Sequence, residues 1–265
     1  SCKINLGLNI ISQRVDGFHN IETMMYPVSL HDALEIIPAA DGVFEFNSTG
    51  LPIPGEVEKN LCVQAFQLLQ SEFGLPAVKM HLHKVIPMGA GLGGGSSDGA
   101  FTLKLLNNLF KIGLDNDQLQ EYARTLGSDC AFFIQNQPLF AFERGDRFDP
   151  VHLDLSGMIL VLVIPDVQVS TAGAYSMVIP VQPERALKEL IHLPFEQWKY
   201  TLVNDFEKPV FEKYPLIGKI KSTLYETGAL YAAMSGSGSA VYGIFRETPE
   251  VKEPFPEIFT AIIPL

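Results

Sequence analysis

The residues with the clearest chemical potential form one glycine-rich stretch, Pro87-Met88-Gly89-Ala90-Gly91-Leu92-Gly93-Gly94-Gly95-Ser96-Ser97-Asp98. Five of the seven residues from 89 to 95 are glycine, so the backbone can adopt positive φ angles and lie directly against a ligand. A loop of this kind that runs into a helix presents unpaired N–H groups and the positive end of the helix dipole to an anion. The stretch therefore predicts a phosphate-binding loop, and a flexible linker is the weaker interpretation.

The elements on both sides of this loop are expected to be ordered. Residues 78–83 alternate between apolar and polar side chains, which is typical of a half-buried strand. After the loop, Phe101, Leu105 and Leu109 recur at helical spacing, and Ser97 is predicted to cap that helix. The predicted phosphate site thus lies at a strand–loop–helix junction.

The remainder of the N-terminal half mixes strands and helices. Residues 3–10 alternate strictly and predict a strand with one apolar face and one polar face, the latter carrying Lys3, Asn5 and Asn9. A turn signal at 14–17 separates this strand from a second extended segment at 18–27.

Two further helices are predicted in this half from their start and stop signals. The first covers residues 61–73, with Asn60 as its N-cap and Gly74 as its stop. The second covers about 116–126 and is closed by Gly127.

The C-terminal half has the pattern of a separate α+β region. A strand at 159–164 is followed by helical stretches at 184–192 and 217–227. A second glycine turn, Met234-Ser235-Gly236-Ser237-Gly238-Ser239, then leads into strands at 240–245 and 259–263. We therefore predict two domains, 1–152 and 153–265.

Composition excludes several classes of protein. A net charge of −11 over 265 residues argues against a nucleic-acid-binding surface, which would need a basic face. The sequence has no apolar run near the ~20 residues that span a bilayer. Three scattered cysteines suit a reducing compartment, so we expect a cytoplasmic protein. His81 and His83 share a strand face, but the sequence shows no third metal ligand beside them.

The order of these motifs resembles that of the GHMP kinase superfamily over nearly the whole chain. The stretch from Pro87 to Ser97 is similar to the superfamily's ATP phosphate loop, and 234–238 to its third motif. Lys3-Ile4-Asn5-Leu6, followed by Arg14-x-Asp16-Gly17-Phe18-His19, resembles the branch that phosphorylates 4-diphosphocytidyl-2-C-methyl-D-erythritol in non-mevalonate isoprenoid biosynthesis. The Asp-Gly-aromatic-His string is the most specific of these motifs.

The resemblance implies a fold and an activity. The fold is the α+β, two-domain GHMP kinase fold: an N-terminal α/β domain with a left-handed βαβ unit and a C-terminal ferredoxin-like domain. The activity is transfer of the ATP γ-phosphoryl group to the C2 hydroxyl of the methylerythritol moiety. ATP and Mg²⁺ are the expected cofactors, although no acidic motif locates the metal and only Ser96 or Ser97 is suggested as a ligand. A monomer or weak dimer is expected, with no nucleic-acid or membrane partner.

The resemblance also assigns roles to individual residues. It makes Asp129 the base and Lys3 the neighbouring cation. The residues alone leave a helix cap equally open for Asp129 and favour a solvated strand lysine for Lys3. Family members often carry Asp-Val-Pro where this chain has Asp129-Cys130-Ala131, which is a departure. The nucleotide-binding set is Asn60, Pro87, Met88, Gly89, Ala90, Gly91, Leu92, Gly93, Gly94, Gly95, Ser96 and Ser97.

For the acceptor, the resemblance implies Asn5, Phe18, His19, Thr171 and Tyr175. Phe18 and Tyr175 would hold the faces of the cytosine ring, and His19 would read its edge. Two alternatives stay open: another GHMP kinase, acting on mevalonate or homoserine, and a nucleotide-binding protein without catalysis. The first leaves Phe18-His19 unexplained, and the second is disfavoured by the presence of both Lys3 and Asp129.

Overall fold

The computed structural model describes residues 1–249, 255 and 258–265. The strands, in chain order, are β1 (Cys2–Gln13), β2 (His19–Val28), β3 (Ala33–Pro38), β4 (Glu45–Gly50), β5 (Val78–Lys84), β6 (Leu139–Phe142), β7 (Arg147–Pro150), β8 (Ile159–Ile164), β9 (Tyr231–Met234), β10 (Val241–Phe245) and β11 (Phe259–Pro264).

The helices, in chain order, are α1 (Leu61–Phe73), α2 (Gly94–Leu109), α3 (Asn116–Leu126), α4 (Cys130–Gln135), α5 (Thr171–Ser176), α6 (Leu187–Leu190), α7 (Phe195–Thr201), α8 (Glu207–Lys213) and α9 (Pro215–Glu226). A short 3-10 helix, Val57–Lys59, precedes α1.

The chain folds into two compact units. The first consists of Ser1–Cys2, Leu30–Met88 and Gly93–Gln137, and the second of Lys3–Ser29, Gly89–Leu92 and Pro138–Leu265. The chain therefore crosses from one unit to the other within the glycine-rich loop. The division into sequence segments 1–152 and 153–265 stays a prediction.

The first unit combines a small mixed sheet with helices. Its strand order is β3-β5-β4, with β3 antiparallel and β4 parallel to β5. Because β4 and β5 are parallel and α1 lies between them in the chain, they form a βαβ unit. Helix α1 packs against α2, and α2 also packs against α3 and α4.

The second unit contains two sheets, ordered β1-β2-β6-β7 and β11-β8-β10-β9. The latter is antiparallel at each of its pairings, and α9 packs on β9 and β10. Buried Leu8, Ile10 and Ile21 from the first two strands share one hydrophobic cluster with Val161, Val241 and other residues of the C-terminal half. The N-terminal hairpin is thus part of the core of the second unit.

Most predicted elements are confirmed, including α1 with Asn60 as N-cap, α3 before Gly127, and β8. Two predictions were wrong in detail. Gly93, at a φ of +68°, is the N-cap of α2, so Ser97 lies inside the helix and does not cap it. The 184–192 segment is helical only over α6, because Ala186 has an extended backbone with ψ 137° and residues 191–193 form a turn.

Strand β1 was predicted to have one apolar and one polar face, and its polar face is also buried over the first part of the strand. Residues from Cys2 to Leu8 are buried on both faces, including Lys3 and Asn5. A buried lysine and a buried amide require partners, because an unpaired polar group in the interior costs free energy. Their partners define one part of the functional site.

Candidate functional site

Residues 89–92 of the glycine-rich loop are held by backbone contacts within the second unit. The amide of Lys3 donates to the carbonyl of Leu92 at 2.9 Å, and the amide of Ala240 donates to the carbonyl of Ala90 at 3.1 Å. Gly91 has a φ of +77°, and a Cβ built on it would lie 2.0 Å from the carbonyl oxygen of Ser235. Only glycine fits there, because both the backbone conformation and the close approach exclude a side chain.

The ammonium of Lys3 is fixed by two acceptors. Its Nζ donates to the carbonyl oxygen of Gly91 at 2.9 Å and to Oδ1 of Asn5 at 2.5 Å, and the residue is 3% exposed. The Ser235 hydroxyl donates to the same two oxygens, at 2.9 Å for Gly91 and 3.4 Å for Asn5. The interpretation of Lys3 as a solvated strand lysine is therefore wrong.

Asn5 links this cluster to the strands around it. Its Nδ2 donates to Oγ1 of Thr23 at 2.9 Å, and Thr23 in turn donates to the carbonyl of Gly7 at 2.6 Å. The hydroxyl of Tyr242 donates to the backbone carbonyl of Asn5 at 2.6 Å. Because both ends of the Asn5 amide bond protein groups, this side chain orients Lys3; direct binding of substrate by Asn5 stays a prediction.

The second part of the glycine-rich loop begins α2 in the first unit. A pocket of about 110 Å³ lies beside it, and its lining includes Asn60, Met88 and Gly95 from the predicted nucleotide set. The other lining residues are Ile53, Pro54, Glu56, Lys59, Leu61, Lys84 and Asp98. Tertiary folding thus brings together residues that are 35 positions apart in sequence, from 60 to 95, around one concavity at a helix N-terminus.

An ion triad lies at the wall of this pocket. The ammonium of Lys84, which is 1% exposed, donates to Asp32 and, at 2.8 Å, to Asp98. Burial raises the pKa of Asp98 to about 6, against the attraction of Lys84. Burial acts in the same direction on Asp32, but hydrogen bonds from Lys84 and from the amides of Ile86 and Val85 hold its pKa below the usual value. The sequence analysis did not select this triad: Asp98 ends the glycine-rich stretch, but no local pattern connects it to Lys84 or Asp32.

Asp129 lies in the first unit, immediately before α4. It occupies the N-cap position with φ −76° and ψ −15°, whereas a capping residue has an extended backbone, as Asn60 and Asp115 do. Within the part of the chain that the structure describes, its carboxylate makes no cap hydrogen bond to α4. The helix-cap interpretation is therefore wrong, and the role of base stays a prediction.

Three of the predicted acceptor residues are aromatic and lie in the second unit. The rings of His19 and Tyr175 stack with centroids 4.7 Å apart and planes at 17°. Tyr175 also contacts Phe206 edge to face at 4.9 Å. Phe18 is 52% exposed, and its amide donates to Asp16 at 3.1 Å. His19 and Tyr175 are thus brought together, with the imidazole stacked on one face of the Tyr175 ring; the roles of Phe18, His19 and Tyr175 toward cytosine stay predictions.

Thr171 is the first residue of α5, the helix that also carries Tyr175. Its Oγ1 lies 3.1 Å from Oγ of Ser237, which belongs to the second glycine turn. The side-chain amide of Asn204 donates to the carbonyls of Met234 and Gly236, both at 2.8 Å, and these two hydrogen bonds also stabilise that turn. Asn204 and Ser235 are further residues that sequence reasoning did not select, although Ser235 falls in a motif it had noted.

Among residues 1–249, 255 and 258–265, no three His, Cys, Asp or Glu side chains are grouped to hold a metal ion. His81 and His83 instead share a hydrogen-bond partner, the hydroxyl of Thr49, at 2.9 and 3.0 Å. In the described part of the chain, every helix is too short or too polar to cross a membrane.

Comparisons with known proteins give one consistent answer. Residues 60–143 match the model of the GHMP kinases N terminal domain, and residues 184–257 match that of the GHMP kinases C terminal domain. A relative from Bacteroides fragilis, 4-diphosphocytidyl-2-C-methyl-D-erythritol kinase, is 55% identical over 254 residues, which cover 95% of this chain and 92% of that protein.

Solved structures agree with this. The crystal structure of a 4-(cytidine 5'-diphospho)-2C-methyl-D-erythritol kinase superposes with a TM-score of 0.82 at 29% identity, covering 100% of this chain and 97% of that one. The mevalonate kinase of Methanococcus jannaschii has a TM-score of 0.72 at 14% identity, covering 100% and 96%, and so shares the fold alone.

Proposed function

The chain belongs to the GHMP kinase family, and on that basis we propose that it transfers the γ-phosphoryl group of ATP to the C2 hydroxyl of 4-diphosphocytidyl-2-C-methyl-D-erythritol. It is thus a small-molecule kinase of non-mevalonate isoprenoid biosynthesis. The observation that carries the proposal is the buried ammonium of Lys3, which is hydrogen-bonded to a carbonyl of the glycine-rich loop. In that position the cation contacts the phosphate-binding loop and, in the proposed reaction, also stabilises charge on the acceptor.

Catalysis in this proposal rests on charge and position. Phosphoryl transfer needs little covalent assistance from the protein, so most of the rate comes from alignment and electrostatic stabilisation. Asp129 accepts the proton of the acceptor hydroxyl, and the Lys3 ammonium stabilises the negative charge that develops on that oxygen. The hydrogen bonds of Lys3 to Gly91 and Asn5 support this role, because a cation that is already oriented need not reorganise during the reaction.

The nucleotide is proposed to bind along the glycine-rich loop, with its phosphates at the start of α2. The pocket lined by Asn60, Met88 and Gly95 supports this assignment, since it adjoins the same helix N-terminus. Mg²⁺ would neutralise charge on the transferred phosphoryl group. It commonly keeps several waters and few protein ligands beside nucleotide phosphates. Of the two serines in the first turn of α2, Ser96 suits that mode better, because Ser97 is 1% exposed and its hydroxyl oxygen accepts from the N-terminal ammonium of Ser1 at 3.3 Å.

The acceptor is proposed to be recognised by its cytosine. Phe18 and Tyr175 contact the faces of the base, His19 its edge and Thr171 the remainder of the ligand. The His19–Tyr175 stack supports this by showing that the Tyr175 ring accepts a planar partner at 4.7 Å. In the proposed complex, the base replaces the imidazole on that face, and His19 turns to the base edge. The cytoplasmic location and the monomer or weak-dimer state stay predictions.

One measurement tests the function. ADP release is followed with purified protein, ATP and Mg²⁺ against 4-diphosphocytidyl-2-C-methyl-D-erythritol, mevalonate and homoserine. We expect turnover with the first acceptor and background rates with the other two. Turnover with mevalonate or homoserine and none with the cytidylyl compound would assign the chain to another branch of the family. ATP binding without turnover of any acceptor would support the non-catalytic alternative.

A further inference from the structure

Phe18 is an exposed aromatic residue with one face covered by a cation. The guanidinium carbon of Arg144 lies 5.1 Å from the centre of the Phe18 ring. A phenylalanine that is 52% exposed gains little from burial in this position. The ring therefore keeps accessible surface beside this contact, which is the arrangement expected for a platform that stacks on a planar ligand.

Arg144 is itself paired with a carboxylate. Its Nη2 donates to Oδ2 of Asp146 at 2.9 Å, and Asp146 is buried at 4% exposure. A carboxylate in that environment is a fixed anchor, and a charge-assisted hydrogen bond to it is stronger than a neutral one. The buried carboxylate of Asp146 therefore binds the guanidinium of Arg144, which in turn contacts the exposed ring of Phe18.

The backbone around Arg144 is constrained as well. It lies in the turn between β6 and β7, flanked by Glu143 at a φ of 55° and Gly145 at a φ of +82°. The carbonyl of Glu143 accepts a hydrogen bond from the amide of Ile21 at 2.7 Å, which ties this turn to β2. Strand β2 begins at His19, directly after Phe18. One sheet thus sets the positions of both the cation and the ring.

We propose that Arg144 is a positioning residue for acceptor specificity, which acts by fixing the Phe18 ring so that its free face stacks on the cytosine of the substrate. The inference rests on the function proposed above and extends it to a residue outside every motif that the sequence analysis used. Arg suits the role better than Lys, because a planar guanidinium can lie flat on the ring and still bond the carboxylate of Asp146. An ordered ring also loses less conformational freedom when the base binds.

A double-mutant cycle tests this mechanism. Arg144→Met, Phe18→Leu and the double variant are compared with the unaltered chain for CDP affinity by calorimetry and for kcat and KM with the cytidylyl substrate. Removing an exposed cation–π contact of about 0.5–1 kcal/mol corresponds to a roughly 2- to 5-fold rise in Kd and KM, with kcat unchanged. Arg144→Lys should recover part of this loss. Arg246→Met is the matched control, because Arg246 is an exposed arginine of the same unit, paired at 3.4 Å with Glu196.

The cycle separates positioning from direct contact. If Arg144 acts through Phe18, its substitution has no further effect in the Phe18→Leu background. Additive losses would show that Arg144 contacts the ligand directly, and an unchanged CDP affinity in Arg144→Met would remove its role altogether; either result overturns the proposal. A failure of the proposed function is distinguishable, since it appears as absent turnover by the unaltered chain, while the cycle on CDP binding remains measurable.

Discussion

Lys3 and Ser235 donate hydrogen bonds to the same carbonyl oxygen, that of Gly91, each at 2.9 Å. They are 232 positions apart in the chain, and the acceptor belongs to a third segment. Because both donors also reach Oδ1 of Asn5, the two side chains share a pair of acceptors. The position of the Lys3 ammonium is therefore coupled to the second glycine turn through the phosphate loop.

Ser235→Ala should lower kcat by roughly 2- to 10-fold, the worth of one buried hydrogen bond, because Gly91 and Asn5 then orient Lys3 less firmly. Steady-state kinetics with saturating ATP measures this. Ser239→Ala is the control, since that hydroxyl is in the same turn but bonds Pro165, at 3.4 Å. Equal effects of the two substitutions would assign Ser235 to general stability of the turn.

Asp129→Asn should leave the fold intact and lower kcat by ~10²–10⁴, which is the usual contribution of a positioned base. Lys3→Met should also lower kcat, because it removes the charge that stabilises the developing alkoxide. Asp115→Ala gives the contrast: it breaks the capping box of α3 and should cost about 1 kcal/mol of stability with kcat unchanged. Near-normal kcat in Asp129→Asn, measured on protein with an unaltered circular dichroism spectrum, would contradict the assignment of the base.

Two glycines of the loop should respond differently to the same substitution. Gly89 and Gly91 have similar positive φ angles, +70° and +77°, so alanine is strained at both. A Cβ on Gly89 meets nothing within 4 Å, whereas one on Gly91 meets the Ser235 carbonyl at 2.0 Å. We expect Gly91→Ala to weaken ATP binding and lower the melting temperature far more than Gly89→Ala. Similar Kd values in calorimetry would mean that the close approach at Gly91 does not matter.

Asp98 should contribute a pH dependence to stability. Its folded-state pKa of about 6 lies above the ordinary 3.8, so between these values the folded protein binds more protons than the unfolded chain. Stability from this group therefore falls as pH rises from about 4 to 6, by roughly 3 kcal/mol at most.

Urea unfolding at pH 4 to 7 measures this effect. Asp98→Asn should remove the fall, whereas Asp41→Asn, at an exposed ion pair with Lys79, should retain it. Parallel stability curves for the unaltered chain and Asp98→Asn would show that Asp98 titrates normally.

His19→Ala should raise KM for the cytidylyl substrate by about 5- to 150-fold and leave ATP affinity within about twofold, because a hydrogen bond in a closed site is worth roughly 1–3 kcal/mol. Saturation curves for both substrates, with circular dichroism to verify folding, measure the effect. A weakened ATP affinity with normal acceptor binding would place His19 at the nucleotide instead.

Local sequence patterns were enough to predict the individual helices and strands and the family. Asn60 and Gly74 bound α1 and Gly127 follows α3, because caps and stops depend on neighbouring residues only. The motifs around residues 3–19 and 87–97 were sufficient to recognise a GHMP kinase, because such uncommon combinations of residue types identify the family without knowledge of the fold.

Which residues contact one another in the sites depends on long-range packing. The alternation of residues 3–10 predicted a solvated Lys3, but packing buries both faces of β1 and places Lys3 against Gly91 and Asn5. In the same way, Lys84 with Asp32 and Asp98, and Arg144 with Phe18, meet only after distant segments fold together. Local patterns report how a residue relates to its neighbours in the chain, whereas burial, charge pairing and ring contacts depend on long-range packing that no single segment encodes.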